Sequence, residues 1–137
     1  MPIFTKPLST NVKSWSDLDL NFQAHPITKD IVKKKDIEAV KRSVKNLVLT
    51  NRYERPFNPE FGSGILAMLF EPVSPTSSVV LKQRILEVIE NYEPRAIVNG
   101  IEIFGDIDRN GYEVTIVFTP LNSLEPVTID FFLERLR

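Results

Sequence analysis

The 137-residue sequence contains no cysteine, which excludes disulfide frameworks, thiol nucleophiles and cysteine-zinc sites together. Histidine occurs once, at His25 beside Pro26, so no histidine pair exists for a metal and a Ser-His-Asp arrangement would hang on one residue. Glycine is scarce, at 5 residues, and none forms a phosphate-cradling loop. No run approaches the ~20 apolar residues that a bilayer requires, and the opening MPIFTKPLST lacks the apolar core of a signal peptide. A soluble chain is expected. Charge of one sign is not in excess either: 17 Lys plus Arg against 18 Asp plus Glu gives a net charge of −1, which removes the basic surplus of a dedicated nucleic-acid binder. What remains is an ordinary globular composition, 42% hydrophobic and 26% charged, enough to bury a core within one domain.

The charge is nevertheless uneven. Residues 1–55 carry 11 basic and 6 acidic groups, whereas residues 56–137 carry 6 and 12. Such asymmetry fits two differently charged contact surfaces, and equally an ordinary solvated distribution.

Residues 1–16 hold two prolines and isolated apolar side chains without a period, which reads as an extended arm; residues 17–137 read as a single domain. Strict alternation in Asp17-Leu18-Asp19-Leu20-Asn21-Phe22 places Leu18, Leu20 and Phe22 on one strand face, and turn chemistry from His25 to Asp30 before Ile31-Val32 predicts a small hairpin. Asp36 is positioned to cap a helix whose apolar stripe is Ile37, Val40, Val44, Leu47 and Val48, with Lys41, Arg42 and Lys45 on its wet side. The two prolines of Arg55-Pro56-Phe57-Asn58-Pro59-Glu60-Phe61-Gly62 forbid regular helix, making this a rigid connector whose Phe57 and Phe61 are expected to pack under the first helix. A short helix follows from Ile65 to Phe70, then a longer one from about Ser77 carrying Leu81, Ile85, Val88 and Tyr92, widened by Val80 and Ile89.

After Pro94 the period becomes two. Ile97, Ile101 and Ile103 suit a strand, Tyr112, Val114, Ile116 and Phe118 alternate cleanly, and Val127, Ile129, Phe131 and Leu133 alternate again. The fold class is therefore α+β: an arm and small hairpin, then helices packed on one face of a three-stranded antiparallel C-terminal sheet. Its terminal strand leaves an edge available to a partner.

Candidate chemistry is sparse. Asp106-Ile107-Asp108-Arg109-Asn110-Gly111 matches the first half of a calcium loop, but position twelve is Val117 and both flanks are strands, so a hairpin turn is the better reading. Glu60, Glu71 and Glu93 sit at element junctions, and glycoside hydrolysis would need two such carboxyls about 5 to 9.5 Å apart with one pKa raised; the sequence pairs none of them. Tyr92-Glu93-Pro94-Arg95 is more informative. Pro94 stops the helix, and in an extended step Glu93 and Arg95 point the same way, offering a carboxylate and a guanidinium fork at a fixed corner. Such a corner suits a clamp on another chain, or simply an exposed ion pair.

Three segments together, Asn46-Leu47 through Thr50-Asn51-Arg52, the connector Arg55 to Gly62, and Asn91-Tyr92-Glu93-Pro94-Arg95, resemble the baseplate wedge family of contractile-tailed bacteriophages typified by T4 gene product 25, which includes the corresponding wedge protein of type VI secretion systems. The likeness runs from about Asp17 to the chain end. It implies a non-enzymatic structural subunit, six copies to a baseplate, located in the virion tail and assembled in the host cytoplasm. Implied partners are wedge core-bundle proteins, the tail sheath protein and tube or tube-initiator proteins, with no cofactor, metal, nucleic acid or membrane. Carried over residue by residue, Glu93 and Arg95 meet the core bundle with Pro94 fixing the turn, while Arg55, Pro56, Phe57, Pro59, Glu60, Phe61 and Gly62 form a structural connector. Some members carry a lysozyme label, so a cell-wall glycosidase is the alternative from another class; a subunit of a secretion or other injection system is the alternative within it.

Overall fold

The computed structural model describes residues 14–135. Two short strands, β1 (Ser16–Leu18) and β2 (Lys33–Lys35), pair antiparallel and lead into helix α1 (Asp36–Leu49). The connector and a single-turn helix α2 (Ile65–Met68) carry the chain to α3 (Pro75–Tyr92), and strands β3 (Ala96–Asp106), β4 (Gly111–Pro120) and β5 (Val127–Glu134) complete an antiparallel meander in that order. The expected α+β architecture is what the chain adopts. Residues 1–13 of the expected arm lie outside the described residues; of its last residues, Trp15 packs against the core and Ser16 already belongs to β1.

The core lies between the helices and one sheet face. Val40, Val44 and Val48 of α1, Leu81, Ile85 and Ile89 of α3, and Tyr112, Val114, Ile116 and Phe118 of β4 are buried in one cluster. Because β4 is the central strand, its alternation is unbroken: all four inward side chains are fully buried. In β3 the register against β4 shifts between Val98 and Gly100. One extra residue turns the strand over, so Ala96 and Ile101 are buried while Ile97, expected inside, is exposed.

Three local expectations are corrected. Leu18, Leu20 and Phe22 do not face the core but are exposed; the strand ends at Leu18, the return strand that pairs with it is Lys33–Lys35, and nearer the turn there is an isolated bridge between Ala24 and Ile31. The side chain turned inward is Asp19, 1% exposed, because Arg42 of α1 reaches it at 3.4 Å and Lys34 at 3.9 Å. Arg42 is thereby drawn off the wet face. Asp36 does not cap α1: it lies inside the helix start with φ 48°, and its carboxylate accepts from the Trp15 amide at 3.2 Å. Ser74 does cap α3, accepting from the Ser77 amide at 3.1 Å, with Pro75 in the first turn where its missing donor costs nothing. This starts the helix at Pro75 and not at Ser77. His25 serves its own turn, its Nδ1 accepting from the Ile27 and Thr28 amides.

The connector is compact but turned outward. Phe57 is fully exposed instead of packing under α1. Phe61 is half-buried, edge-on to Tyr92 with ring centres 5.0 Å apart and with the Arg55 guanidinium 3.9 Å from its own. Gly62, at φ 123°, passes so close that a Cβ would stand 2.6 Å from the Asn51 carbonyl oxygen, a position no other residue fits. Beyond it, buried Ser63 donates to the Val48 carbonyl at 2.6 Å, satisfying a helix-end acceptor that would otherwise be orphaned.

Candidate functional site

Pro94 ends α3 at Tyr92, and Glu93 takes the C-cap position with φ −126° and ψ 76°, outside the helical region. The expected corner is present, but its carboxylate faces inward. Glu93 is 3% exposed. Arg95 donates from Nε to Oε1 at 2.7 Å and from Nη2 to Oε2 at 2.9 Å, a bidentate fork, and the Ser43 hydroxyl of α1 donates to Oε2. Arg95 also reaches Asp17 of β1, both terminal nitrogens lying 3.3 Å from Oδ2. The corner therefore ties together α1, the end of α3, the entry to β3 and the N-terminal hairpin. An exposed ion pair is not what forms; Pro94 alone of the three residues is fully on the surface.

The electrostatics follow from this packing. Burial pushes the Glu93 carboxyl up, but the hydrogen bonds from Arg95 and Ser43 and the guanidinium charge outweigh it, leaving the group below its ordinary value. The Glu93 hydrogen bond holds Arg95 above its own ordinary value against partial burial, helped by the charges of Glu93 and Asp17. A general acid for glycoside hydrolysis needs a raised carboxyl pKa. Glu93 is shifted the opposite way.

Beside this network lies an open groove of about 400 Å³. Asp17, Leu18 and Leu20 form one wall, α1 residues Ala39, Ser43, Asn46 and Leu47 the floor, and Arg55, Phe61 and Tyr92 the far wall. The connector is held there by the Tyr92 hydroxyl, which donates to the Glu60 carbonyl at 3.0 Å. So two of the sequence-derived segments, the connector and the Glu93 corner, do meet: Arg55 and Phe61 stand across one groove from the hairpin that Arg95 anchors. Phe57 and Pro94 do not line it.

Sequence reasoning missed Asp17, Ser43, Leu18 and Leu20. The hairpin is amphipathic in the inverse sense: its half-buried positions are Asp17 and Lys34, which pair across the strands, while its leucine points out. The available signal was Asp17 and Asp19 alternating with the leucines, since alternation identifies two faces without saying which is inside.

The fold and this groove define a small domain that presents surfaces: a groove on one side and, among the described residues, two free strand edges, β3 and β5, at the sheet. A family model described as baseplate wedge protein gp25 matches residues 34–119, and baseplate wedge protein gp25 of Enterobacteria phage T4 is 31% identical over 97 residues, covering 69% of this chain and 73% of that protein. The chain belongs to the baseplate wedge protein gp25 family, whose members are structural proteins of contractile-tail baseplates. Solved structures repeat the fold. A Geobacter sulfurreducens protein, provisionally named a tail lysozyme, superposes with a TM-score of 0.67 at 18% identity, covering 73% of this chain and 91% of its own. A chain of the anti-feeding prophage baseplate, 6-fold symmetrised, gives a TM-score of 0.63 at 19% identity and covers 90% of this chain and 88% of its own.

Proposed function

We propose that this protein is a non-catalytic wedge subunit that docks a helical core bundle of the baseplate into the groove beside Glu93 and Arg95, and offers its C-terminal sheet as a platform for the tail sheath. The groove carries the reading: its floor is one face of α1, and its hairpin wall shows two leucines, 55% and 54% exposed, that the fold itself leaves unused. Exposed apolar side chains at the rim of a groove are the usual mark of a helix-in-groove contact. Within this reading Glu93, Pro94 and Arg95 act by positioning. They fix the hairpin wall at the right distance from α1 and do not themselves clamp the partner. Six copies around the tube, contacts with tube or tube-initiator proteins, and assembly in the host cytoplasm belong to the same proposal.

The test is a pull-down of wedge core-bundle proteins by Leu18→Asp/Leu20→Asp protein. Both side chains are exposed, so the melting temperature should stay within a few degrees of the parent, as for other surface changes, while capture should fall by about tenfold or more. Capture equal to the parent would remove the groove from the interface.

A further inference from the structure

Among the described residues the sheet has two free edges, and they differ. In β3 the bulge between Val98 and Gly100 interrupts the row of outward backbone groups. In β5 the pairing with β4 runs without a shift from Gly111↔Glu134 to Phe118↔Val127. The Arg135 amide donates to the Asn110 carbonyl at 2.9 Å, which fixes the phase of the ladder. Odd-numbered residues of β5 bond to β4, and Thr128, Asp130, Phe132 and Glu134 turn their amides and carbonyls outward. Burial differs as well: Val127, Ile129 and Phe131 face the helices but remain only half-buried, whereas their β4 neighbours Val114, Ile116 and Phe118 are completely covered. The apolar layer stops short on the β5 side.

Above that edge runs a cleft of about 240 Å³ between α1 and β5, lined by Lys34, Lys41, Arg42 and Lys45 together with Glu38, Ile129 and Asp130. Four cations thus face two carboxylates. Asp130 is turned away from α1, accepting from the Thr115 hydroxyl at 2.8 Å on the other sheet face. Glu38 neutralises Lys41 at 3.4 Å, and Arg42 and Lys34 reach Asp19. Lys45 has no ion pair among the described residues. A strand added to β5 would cover the half-buried row with its inner side chains and bring alternate residues under this lysine wall.

Resting on the platform reading above, we infer that β5, not β3, is the edge that accepts an added strand, and that the accepted segment is extended and acidic on the side facing α1. Main-chain bonds to Thr128, Asp130, Phe132 and Glu134 give the contact its register, and the lysines of α1 select its charge.

Two measurements test this on the full chain. The first uses synthetic peptides alternating threonine with glutamate, or threonine with lysine, titrated by fluorescence anisotropy and by amide shifts. The glutamate peptide should move the amides of residues 127–134 and bind about tenfold or more tightly than the lysine peptide. Lys41→Glu/Lys45→Glu protein, checked for its fold by circular dichroism, should lose that preference; Lys45→Gln keeps the test open if the double change unfolds. Equal binding of the two peptides, or shifts confined to residues 96–106, overturns the inference. The second measurement compares Thr128→Pro and Ile103→Pro, both at amides that the strand pairing turns away from β4, in sheath polymerisation on reconstituted baseplates. Loss with Thr128→Pro alone supports the β5 edge. Loss with a folded Ile103→Pro variant alone overturns it and leaves the platform reading standing, whereas full-length sheath on both folded variants overturns the two together.

Discussion

The corner at Glu93-Pro94-Arg95 and the connector from Arg55 to Gly62 are both pinned by proline and both sit where helix gives way to something else, yet they distribute their side chains in opposite senses. At the corner an ion pair goes inside, with Glu93 3% exposed. On the connector a phenylalanine, Phe57, goes wholly outside. The difference lies in what each backbone can reach. Glu93 ends α3 within reach of Ser43 on α1 and of a guanidinium two residues on, so its charge is fully satisfied before it is buried. Phe57 sits at the tip of a loop closed on itself, with the Tyr53 amide bonded to the Pro59 carbonyl at 2.8 Å, and that closure carries the ring away from the core. Polarity alone does not decide burial; the available partner does.

The largest test of that contrast is Arg95→Ala. It leaves a buried carboxylate with only the Ser43 hydroxyl and the residue-95 backbone amide, 3.4 Å from Oε1, and should cost about 3 to 5 kcal/mol in urea unfolding, a severe loss for a domain with about 5 to 15 in total. A loss of this size also means that failed baseplate incorporation by Arg95→Ala, taken alone, reads as instability of the subunit. A cost under about 1 kcal/mol would mark the corner as effectively exposed.

The pH dependence sharpens the same point. Because the Glu93 pKa is lower folded than unfolded, its contribution is complete above the ordinary glutamate value of 4.5 and disappears as pH falls through the folded value. The stability gap between parent and Glu93→Gln should therefore be widest near neutrality and narrow as the pH falls below 4.5, measured as urea midpoints. A gap that does not change with pH would place the carboxylate outside the network.

On the connector, Phe61→Ala should cost about 1 to 2 kcal/mol, less than the 3 to 5 of a fully buried phenylalanine, since the ring is only half-covered by Tyr92 and Arg55. Phe57→Ala should be smallest, within about 0.5 kcal/mol of the parent. If the denaturation midpoint instead falls as far as it does for Phe61→Ala, the loop folds back on the core in solution.

The meander and both long helices were legible because their patterns are complete within single elements: β4 alternates without interruption and α1 repeats every three or four residues. The misplaced residues all depend on partners remote in sequence or on irregular backbone. Asp19 is inward because of Arg42, 23 residues away. Ile97 is outward because of a bulge two residues later, and Asp36 is not a cap because Trp15, 21 residues earlier, holds it. At the candidate site the two segments were readable, but not that they share a groove, since the hairpin wall joining them is defined by Asp17 and Arg95. Glu113 and Thr115 lie in the central strand, so proline there breaks the sheet itself and says nothing about which edge is used.

The Asp17–Arg95 contact spans 78 residues, and this gives the groove a history in time. At a synthesis rate of about 5 to 20 residues per second, roughly 4 to 16 s separate the two residues on the ribosome. Until then the hairpin, two strands of three residues each, is too short to hold itself in water. This wall of the groove becomes firm only after α1 and α3 have emerged and the arginine behind them arrives. In a nascent chain the groove is thus complete only late, after its floor on α1 and its far wall at Tyr92 have already emerged.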